Sequence, residues 1–446
     1  MLGLARSGEA AALTLRARGE EVIGCDAGAT RELAETAGRL RAAGVEVHLD
    51  ASGEALLDRV STLVKSPGVP AQAPAVRQAR RRGVGVIGEL ELAWRLLPNE
   101  FVAVTGTNGK TTTTEWIGHI HRTAGLPVAV AGNVGTALSG LVGELAQDAT
   151  VICEASSFQL EDAIAFAPEA AVLLNLSPDH LDRHGSYDSY VAAKLAIFAH
   201  QLPGDVAVLP DDLDVQVAGR ATQVRFGARA AAGVPAHICA GLWLRGGGLR
   251  WDGHELVRVA ELPLPGAHNL QNAMAAAAAC LARGLDREAV AAGLRTFAGV
   301  AHRLELVAER DGVRYVNDSK ATNVASTVVA LAAFRGGVHL IAGGRGSGQE
   351  FAALAPLVRE RCAAVYLIGE AAAELEQALA GTGVPLHGAG DLVHAVALAA
   401  RGARRGEVVL LSPACKSYDQ YRDFEARGED FRRLALGSLE PDLGVA

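Results

Sequence analysis

Lysine is scarce in this sequence of 446 residues, because only five of its 42 lysine and arginine residues are lysine. Arginine supplies positive charge almost everywhere else, so a lysine that persists marks a position where a guanidinium would not serve. The two groups differ in size, acidity and chemistry. Four of these five lysines fall in segments that other features single out; the full set is Lys65, Lys110, Lys194, Lys320 and Lys416.

The sequence also has no basic excess, no disulfide pattern and no long apolar run. Its formal net charge of −8 gives no electrostatic footprint for nucleic acid. Six scattered cysteines without a CxxC pair favour reduced thiols in a cytosolic protein. No apolar stretch reaches transmembrane length, and no secretory signal precedes the first motif. We therefore expect a cytoplasmic monomer that binds neither nucleic acid nor a membrane.

Short apolar strands alternate with helical segments along the whole chain, which predicts an α/β fold with parallel sheets. The length suggests about three domains. We predict a Rossmann-like domain over 1–97, a central P-loop ATPase-like sheet over 98–298 and a second Rossmann-like domain over 299–446. Residues 96–100 look like a linker. The glycine-rich stretch 227–265 predicts a small β excursion.

A phosphate-binding loop is indicated between Phe101 and Thr113. An apolar run leads into the sequence TGTNGKTTT, and an amphipathic stretch follows. In such a strand–loop–helix corner the backbone N–H groups surround a phosphate, Lys110 reaches the terminal phosphates and the Thr111 hydroxyl ligates Mg²⁺. Val104 stands where the general P-loop pattern has its first glycine, so an ordinary corner is the alternative.

Chemically active side chains also follow two later strands. Glu154 ends an apolar strand, where a carboxylate beside a P-loop could ligate Mg²⁺, although it could also lie in a helix N-cap region. His180 lies in a polar loop after the next buried strand and could bind metal or a substrate carboxylate. Lys194 is flanked by apolar residues at helical spacing, which is typical of a surface lysine.

The segment Gly3 to Gly8 resembles the dinucleotide pattern GxGxxG, with Ala5 at the second glycine. Asp26 follows at the distance where an acidic residue meets a ribose hydroxyl. No strand precedes this loop, because the chain begins at Met1. We expect either a misassigned start or an absent first strand with an altered sheet edge. A plain glycine turn and a nicotinamide-dependent oxidoreductase are the alternatives.

Three polar loops follow successive strands in the last third of the chain. They are 317–323 with Asp318 and Lys320, the glycine-rich 343–348, and 412–420. Because the carboxyl ends of parallel strands share one edge of a sheet, we expect these loops to line one cleft.

Together, these motifs resemble the Mur ligases over nearly the whole chain. They are TGTNGKTTT (105–113), GNVG (132–135), EASSFQL (154–160), NLSPDHLDRHG (175–185), AAKLAIF (192–198), HNLQNA (268–273), AHRLE (301–305), NDSKATN (317–323) and LSPACKSYDQ (411–420). GELELAW (88–94) and SPGVP (66–70) look most like the D-glutamate-adding members of that family.

The resemblance implies an ATP-dependent ligase of peptidoglycan synthesis. It would join D-glutamate to UDP-N-acetylmuramoyl-L-alanine through an acyl phosphate and a tetrahedral intermediate. Another Mur ligase and a folate polyglutamate ligase are alternatives within the class. A P-loop switch protein that hydrolyses ATP without an acceptor is an alternative outside it.

The resemblance also implies roles for individual residues. Lys110, His180, Lys194 and Lys320 would be catalytic. ATP would contact Gly106, Thr107, Asn108, Gly109, Lys110, Thr111, Thr112, Asn272, Arg303 and Asp318. Two Mg²⁺ ions would be held by Thr111, Glu154, His180 and a carbamate on Lys194. The UDP substrate would contact Ala5, Arg6, Asp26, Ser66, Gly68 and Asn133.

The amino acid would lie against Lys320, Thr322, Ser417, Tyr418 and Phe424. One departure from the family pattern concerns this pocket. Several relatives carry a lysine where this chain has Ser347, and that lysine anchors the glutamate carboxylate. Arg345 or Lys416 could take over this contact.

Overall fold

The structure is a computed structural model that describes residues 1–228, 238–264, 266–346 and 349–437. The chain divides into two compact units, Met1–Phe297 and Ala298–Ala446. Both units are α/β, which confirms the predicted fold class. The first unit contains the residues predicted as the first two domains, and the boundaries between three domains stay a prediction. Ser347 lies outside the described residues.

The first 97 residues form short parallel strands and helices. The elements are α1 (Arg6–Ala17), β1 (Ile23–Cys25), α2 (Arg31–Ala42), β2 (Glu46–His48), β3 (Thr62–Lys65), α3 (Pro74–Arg81), β4 (Gly85–Gly88) and α4 (Glu89–Leu96). Strands β1 and β2 pair in parallel, as do β3 and β4.

Residues Met1 to Gly3 join these two strand pairs. Leu2 forms parallel bridges to Cys25 on one side and to Lys65 on the other. Its N–H donates to Val64 O at 2.8 Å, and its carbonyl accepts from Ser66 N at 2.9 Å. The residues that lead into the glycine loop, Met1 to Gly3, therefore lie in the sheet where the first strand was expected to be missing.

Helix α4 attaches this region to the central one through buried carboxylates. Glu91 accepts hydrogen bonds from three successive backbone N–H groups, those of Ile164, Ala165 and Phe166, at 3.0–3.2 Å. Glu89 accepts from the N–H and hydroxyl of Ser139 at 2.8 and 2.7 Å. The helix also contributes Leu90 and Ala93 to the central hydrophobic core.

The predicted linker is fixed in place. Asn99 is buried, and its amide donates to the carbonyls of Ala146 and Ala149 at 2.8 Å each. A buried side-chain amide that satisfies two loop carbonyls fixes the position of the chain at that residue. Residues 96–100 therefore lead rigidly from α4 into the next strand.

The central region is built on one large sheet. Its elements are β5 (Phe101–Thr105), α5 (Lys110–Thr123), β6 (Val128–Gly132), β7 (Thr150–Glu154), α6 (Ser157–Leu160), β8 (Ala170–Leu173), α7 (Leu181–His184), α8 (Tyr187–Leu195), β9 (Val206–Pro210), β10 (Thr222–Gly227), β11 (Ile238–Arg245), β12 (Gly248–Trp251), β13 (His254–Arg258), α9 (Ala267–Ala282) and α10 (Arg287–Thr296).

In the described part of the chain this sheet has nine strands, in the order β13-β12-β11-β10-β9-β8-β5-β7-β6. Strands β6 to β11 and β5 run parallel, and β12 pairs antiparallel with both of its neighbours. The predicted β excursion thus continues the main sheet as its edge. Residues 229–237 and 265, which belong to that prediction, lie outside the described residues.

The second unit carries its own six-stranded sheet within the described residues, in the order β14-β15-β19-β16-β17-β18. Its elements are β14 (Glu305–Arg310), β15 (Val313–Asn317), α11 (Val324–Ala332), β16 (Val338–Gly343), α12 (Ala355–Arg361), β17 (Cys362–Ile368), α13 (Ala372–Leu379), β18 (Leu386–Gly390), α14 (Leu392–Gly402), β19 (Val408–Leu411) and α15 (Phe424–Ala435). Apart from the β14–β15 pair, the strands are parallel.

Two predictions from the composition can be compared with this structure. The five cysteines whose side chains are described are free thiols, as predicted. None of the helices in the described part of the chain combines the length and the apolarity that crossing a bilayer requires.

Candidate nucleotide and metal site

The TGTNGKTTT segment forms a phosphate loop between β5 and α5. Gly106 and Gly109 have φ angles of +152° and +84°, which favour glycine, and a Cβ at Gly109 would collide with the amide oxygen of Asn272. Helix α5 begins at Lys110 without a side-chain cap, and the N-terminus of a helix favours an anion. Val104 is a buried strand residue, which explains why no glycine is needed there.

Asn175 fixes this loop from the neighbouring strand end. Its Oδ1 accepts from Asn108 N at 2.9 Å, and its Nδ2 donates to Asn108 O at 3.1 Å. Lys110 lies back over the loop, where Nζ donates to Gly106 O at 3.0 Å and to Thr107 O at 2.8 Å. The residues predicted to contact nucleotide phosphates are therefore together, with Thr111 and Thr112 buried at the start of α5.

Lys194 also reaches the loop, and the prediction of a surface lysine from its spacing is wrong. The side chain is 2% exposed, and Nζ donates to Gly106 O at 2.7 Å. Burial, and next the nearby charge of Lys110, lower the pKa of Lys194 to about 7. Much of the amine is therefore neutral near neutral pH, and a neutral amine can act as a nucleophile.

Tyr190 joins the same cluster and carries no prediction from the sequence. Its hydroxyl lies 2.8 Å from Thr107 Oγ1, which also accepts from Ser177 N at 3.0 Å. The ammonium of Lys194 lies 4.8 Å from the centre of the Tyr190 ring. The signal that could have found Tyr190 is its position four residues before Lys194, on the same face of α8.

Glu154 lies beside this loop, at the end of the strand that neighbours β5. Its backbone pairs with Val104 of β5, the strand that leads into the phosphate loop and, through it, to Thr111 at the start of α5. Glu154 is buried and accepts from Asn133 Nδ2 at 2.9 Å. This contact places Asn133, a predicted substrate residue, next to the predicted metal ligand. Hydroxyl and carboxylate oxygens suit Mg²⁺.

His180 is half exposed on the loop before α7. It has a left-handed backbone, with φ 49°, and its ring lies 4.9 Å from that of Phe158. In the described ranges, no three His, Cys, Asp or Glu side chains form a group that could hold a metal ion alone. Mg²⁺ usually binds one or two carboxylates together with substrate phosphates and water, so it does not need such a group. The role of His180 stays a prediction.

The predicted substrate residues of the first region also meet. Gly3 turns at φ +84°, and a Cβ there would lie 2.8 Å from Val69 and 2.9 Å from Ser66. Asp26 accepts from Leu4 N at 2.7 Å and from Gly28 N at 2.9 Å. The remaining predicted residues, Ala5, Arg6 and Gly68, are exposed around this turn.

The second unit gathers its predicted residues at the ends of β15 and β19. Asp318 accepts from the Ser412 hydroxyl at 2.7 Å and from Leu304 N at 3.2 Å. Burial raises the pKa of Asp318 to about 7, against the opposing effects of the hydrogen bonds and of Arg303. Lys320 lies 5.9 Å from the Phe424 ring. The parallel strands β15, β19 and β16 thus bring their ends, which lead into the three polar loops, to one edge of the sheet, and the cleft itself stays a prediction.

The other predicted residues of this unit differ in exposure. Ser417 is buried, whereas Tyr418 is exposed. Thr322 donates from its backbone to Lys320 O at 2.9 Å. Arg345, a suggested carboxylate anchor, forms an ion pair with Glu370 at 3.1 Å and bridges to Lys416 through its backbone.

Two residues of the second unit were missed by the sequence reasoning. Arg427 is buried and donates to Ser319 Oγ, Ser319 O and Cys415 O at 2.9–3.1 Å, so it joins two of the three loops. Its Nη1 is buried without a hydrogen-bond partner. His302 is buried with Nδ1 2.9 Å from Asn317 Nδ2. His302 lies within the AHRLE motif, but Arg427 has no motif that could have identified it.

The fold and these loops define an α/β enzyme with a P-loop phosphate site. Three family models match the chain: a Mur ligase MurD-like N-terminal domain over residues 1–88, a Mur ligase middle domain over 104–280, and a Mur ligase glutamate ligase domain over 302–415. The chain belongs to the Mur ligase family, and it is an ATP-dependent, amide-forming ligase. Enzymes of this family use ATP and Mg²⁺.

Curated relatives match over nearly the full length. A UDP-N-acetylmuramoylalanine–D-glutamate ligase of Pelotomaculum thermopropionicum is 43% identical over 98% of this chain and 96% of its own. One of Geotalea uraniireducens is 42% identical over 100% and 98%. Among solved structures, a UDP-N-acetylmuramate–alanine ligase of Thermotoga maritima aligns with a TM-score of 0.56 over 98% and 99% of the two chains, at 20% identity. That last likeness concerns the fold alone.

Proposed function

We propose that this enzyme adds D-glutamate to UDP-N-acetylmuramoyl-L-alanine in the cytoplasm, as a monomer, during peptidoglycan synthesis. The name shared by its full-length relatives supports these substrates. The observation that carries the mechanism is the buried Lys194 amine at the phosphate loop. An oxidoreductase would give this lysine, the P-loop and Glu154 no role.

The first step is phosphoryl transfer from ATP to the terminal carboxylate of the substrate, which gives an acyl phosphate and ADP. Residues Gly106 to Thr112 would contact the phosphates, and Lys110 would leave its loop carbonyls to neutralise the terminal phosphate. Two bound Mg²⁺ ions would neutralise the charge that develops on the phosphate oxygens. Thr111, Glu154 and His180 would hold them.

Lys194 would act as a carbamate. Addition of CO₂ to its neutral amine, with loss of one proton, would place an anion at this position, where it could help to hold the second Mg²⁺. The pKa of about 7 favours this reaction, because an amine with an ordinary pKa would be almost fully protonated. Glu154 and the carbamate would then be two anions on the metal side of the loop.

The second step is attack of the amino group of D-glutamate on the acyl phosphate, through a tetrahedral intermediate that expels phosphate. On the second unit, Lys320, Thr322, Ser417, Tyr418 and Phe424 would bind the amino acid. Asn272, Arg303 and Asp318 would contact the nucleotide. Ala5, Arg6, Asp26, Ser66, Gly68 and Asn133 would bind the UDP substrate.

The direct test measures phosphate release from ATP with UDP-N-acetylmuramoyl-L-alanine, while D-glutamate, L-glutamate, L-lysine and diaminopimelate are added in turn. We expect release with D-glutamate alone. Release without an amino acid would favour a P-loop hydrolase, and release with diaminopimelate would favour a different Mur ligase.

A further inference from the structure

Loop Ser66–Val69, which would hold the uridine end of the substrate, contacts the central region through its carbonyl groups. Arg183 of α7 donates from Nη2 to Pro67 O at 2.8 Å and to Val69 O at 3.2 Å. Its Nη1 lies 3.4 Å from Gly68 O. One guanidinium therefore reaches three successive carbonyls, and the fixed fork of arginine donors suits such a spread of acceptors.

The far side of this loop is fixed by a second cation. Lys65 donates to Val69 O at 2.8 Å and pairs with Asp162 at 2.5 Å, and both charged side chains are almost fully buried. Asp162 lies just after α6, in the segment that follows Glu154. The end of the loop at Val69 is thus attached to the central region, while Ser66 and Gly68 remain on the side of the glycine turn.

Arg183 is also tied to His180 by a single helical turn. The backbone N–H groups of Arg183 and His184 both donate to His180 O at 3.1 Å. His180 has a left-handed backbone, which a non-glycine residue keeps only where its surroundings hold it. The backbone path from Arg183, which contacts the substrate loop, to His180 is therefore only three residues long.

Phe158 forms the other side of this turn. The Arg183 guanidinium lies 4.1 Å from the centre of its ring, His180 contacts it at 4.9 Å, and His184 stacks on it at 5.4 Å. His184 is further held by Ser157 Oγ at 3.0 Å and by Glu161 at 2.9 Å. The turn thus lies between the substrate loop and the helix that follows Glu154.

The contacts of Arg183 are divided between the loop and the central region. Its Nη2 also lies 3.8 Å from Glu161 Oε2, its Nε is buried without a hydrogen-bond partner, and its contact with Gly68 O is long. A buried donor without a partner costs free energy, and a long hydrogen bond is weak, so a small shift of the loop that shortens the contact with Gly68 O would be favourable. Such a shift is what a ligand bound to Ser66 and Gly68 could cause.

We propose that Arg183 is a positioning residue that couples binding of the UDP substrate to ordering of His180 on the metal side. The coupling rests on the proposed function, because it needs a nucleotide-sugar at loop Ser66–Val69. Coupling of this kind is reciprocal, so Mg²⁺–nucleotide must tighten binding of the UDP substrate by the same factor as the UDP substrate tightens binding of Mg²⁺–nucleotide.

The test measures the affinity for UDP-N-acetylmuramoyl-L-alanine by calorimetry, with EDTA and again with saturating Mg²⁺ and a non-hydrolysable ATP analogue. For the wild type we expect binding to be tighter in the second condition by a factor of about five or more. Arg183→Gln should reduce this factor to about one, and Arg183→Lys should keep only part of it. Arg82→Gln, which removes an exposed arginine of the first region, should leave the factor unchanged.

The outcomes separate the possible roles. A merely structural Arg183 would weaken binding equally in both conditions and leave the factor unchanged, which would overturn the coupling. A wild-type factor of one would do the same. If the wild type does not bind the UDP substrate at all, the proposed function itself is wrong and the coupling with it. Thermal melting of each variant shows whether Arg183→Gln folds, and Arg183→Lys keeps the test valid if it does not.

Discussion

Two lysines of the first unit are buried to the same extent and lie in opposite surroundings. Lys65, under the substrate loop, pairs with the buried carboxylate of Asp162. Lys194, at the phosphate loop, has a carbonyl and an aromatic ring as its near neighbours, and burial lowers its pKa to about 7. The ion pair of Lys65 and Asp162 keeps both groups charged and stabilises the structure. Within the described residues, Lys194 has no such carboxylate partner and loses its proton more readily.

The largest effect is expected from breaking the structural pair. Lys65→Met should lower the free energy of unfolding by about 3 kcal/mol, because it leaves the buried Asp162 with only the half-exposed guanidinium of Arg80, 3.8 Å away, as a cation. Chemical denaturation measures this change. The double variant Lys65→Met/Asp162→Leu should recover most of the loss and retain most of the ligase activity. A single variant as stable as the wild type would show that Lys65 is not a structural charge.

Substitution of Lys194 should act on the rate of the reaction, whereas substitution of Lys65 acts on stability. Lys194→Ala is expected to lower the rate of phosphate release by about 100- to 1000-fold, since it removes an anion that supports transition-state charge. A small added carboxylate, such as formate or acetate, should restore part of the rate. Full activity of Lys194→Arg would contradict the carbamate, because a guanidinium stays protonated.

In the second unit, Asp318 is a buried group whose pKa is also shifted by burial, as that of Lys194 is. Its raised pKa means that the folded protein keeps a proton up to about pH 7, whereas the unfolded chain loses it near 3.8. Stability from this group is therefore complete below pH 3.8 and is lost as the pH rises through 7. Asp318→Asn should raise the free energy of unfolding at pH 8 by about 2 kcal/mol, because the full shift is worth at most about 4 kcal/mol.

The same variant should abolish ligase activity. Melting curves between pH 4 and pH 8 test the stability: the difference between the variant and the wild type should grow with pH. A difference that is constant across this range would mean that Asp318 does not titrate there.

The smallest effect is expected at an exposed ion pair of the first region. Arg82 pairs with Asp58 at 2.6 Å, but both side chains are well exposed. Arg82→Gln should change the free energy of unfolding by less than about 0.5 kcal/mol. Chemical denaturation of Arg82→Gln and Lys65→Met in parallel measures both changes. Similar losses of unfolding free energy in the two variants would show that burial does not determine how much an ion pair stabilises this protein.

Strand ends and loops could be predicted well from the sequence, because each depends on residues that are neighbours in the chain. The strand–loop–helix pattern around Lys110 and the apolar run that ends at Glu154 both correspond to observed elements. The burial of Lys194 was not predictable from spacing, since apolar neighbours surround surface and buried lysines alike. The attachment of Asn99 depends on carbonyls almost fifty residues away, and local patterns do not reveal such contacts.

The environment of Glu91 has a consequence for how the first unit is assembled. Three successive backbone N–H groups surround its carboxylate, as the N–H groups of a phosphate loop surround an anion. The same carboxylate also pairs with Arg95 of α4 at 2.7 Å, so it serves its own helix and the central region together. Without α4, the three N–H groups of residues 164–166 would lose this acceptor.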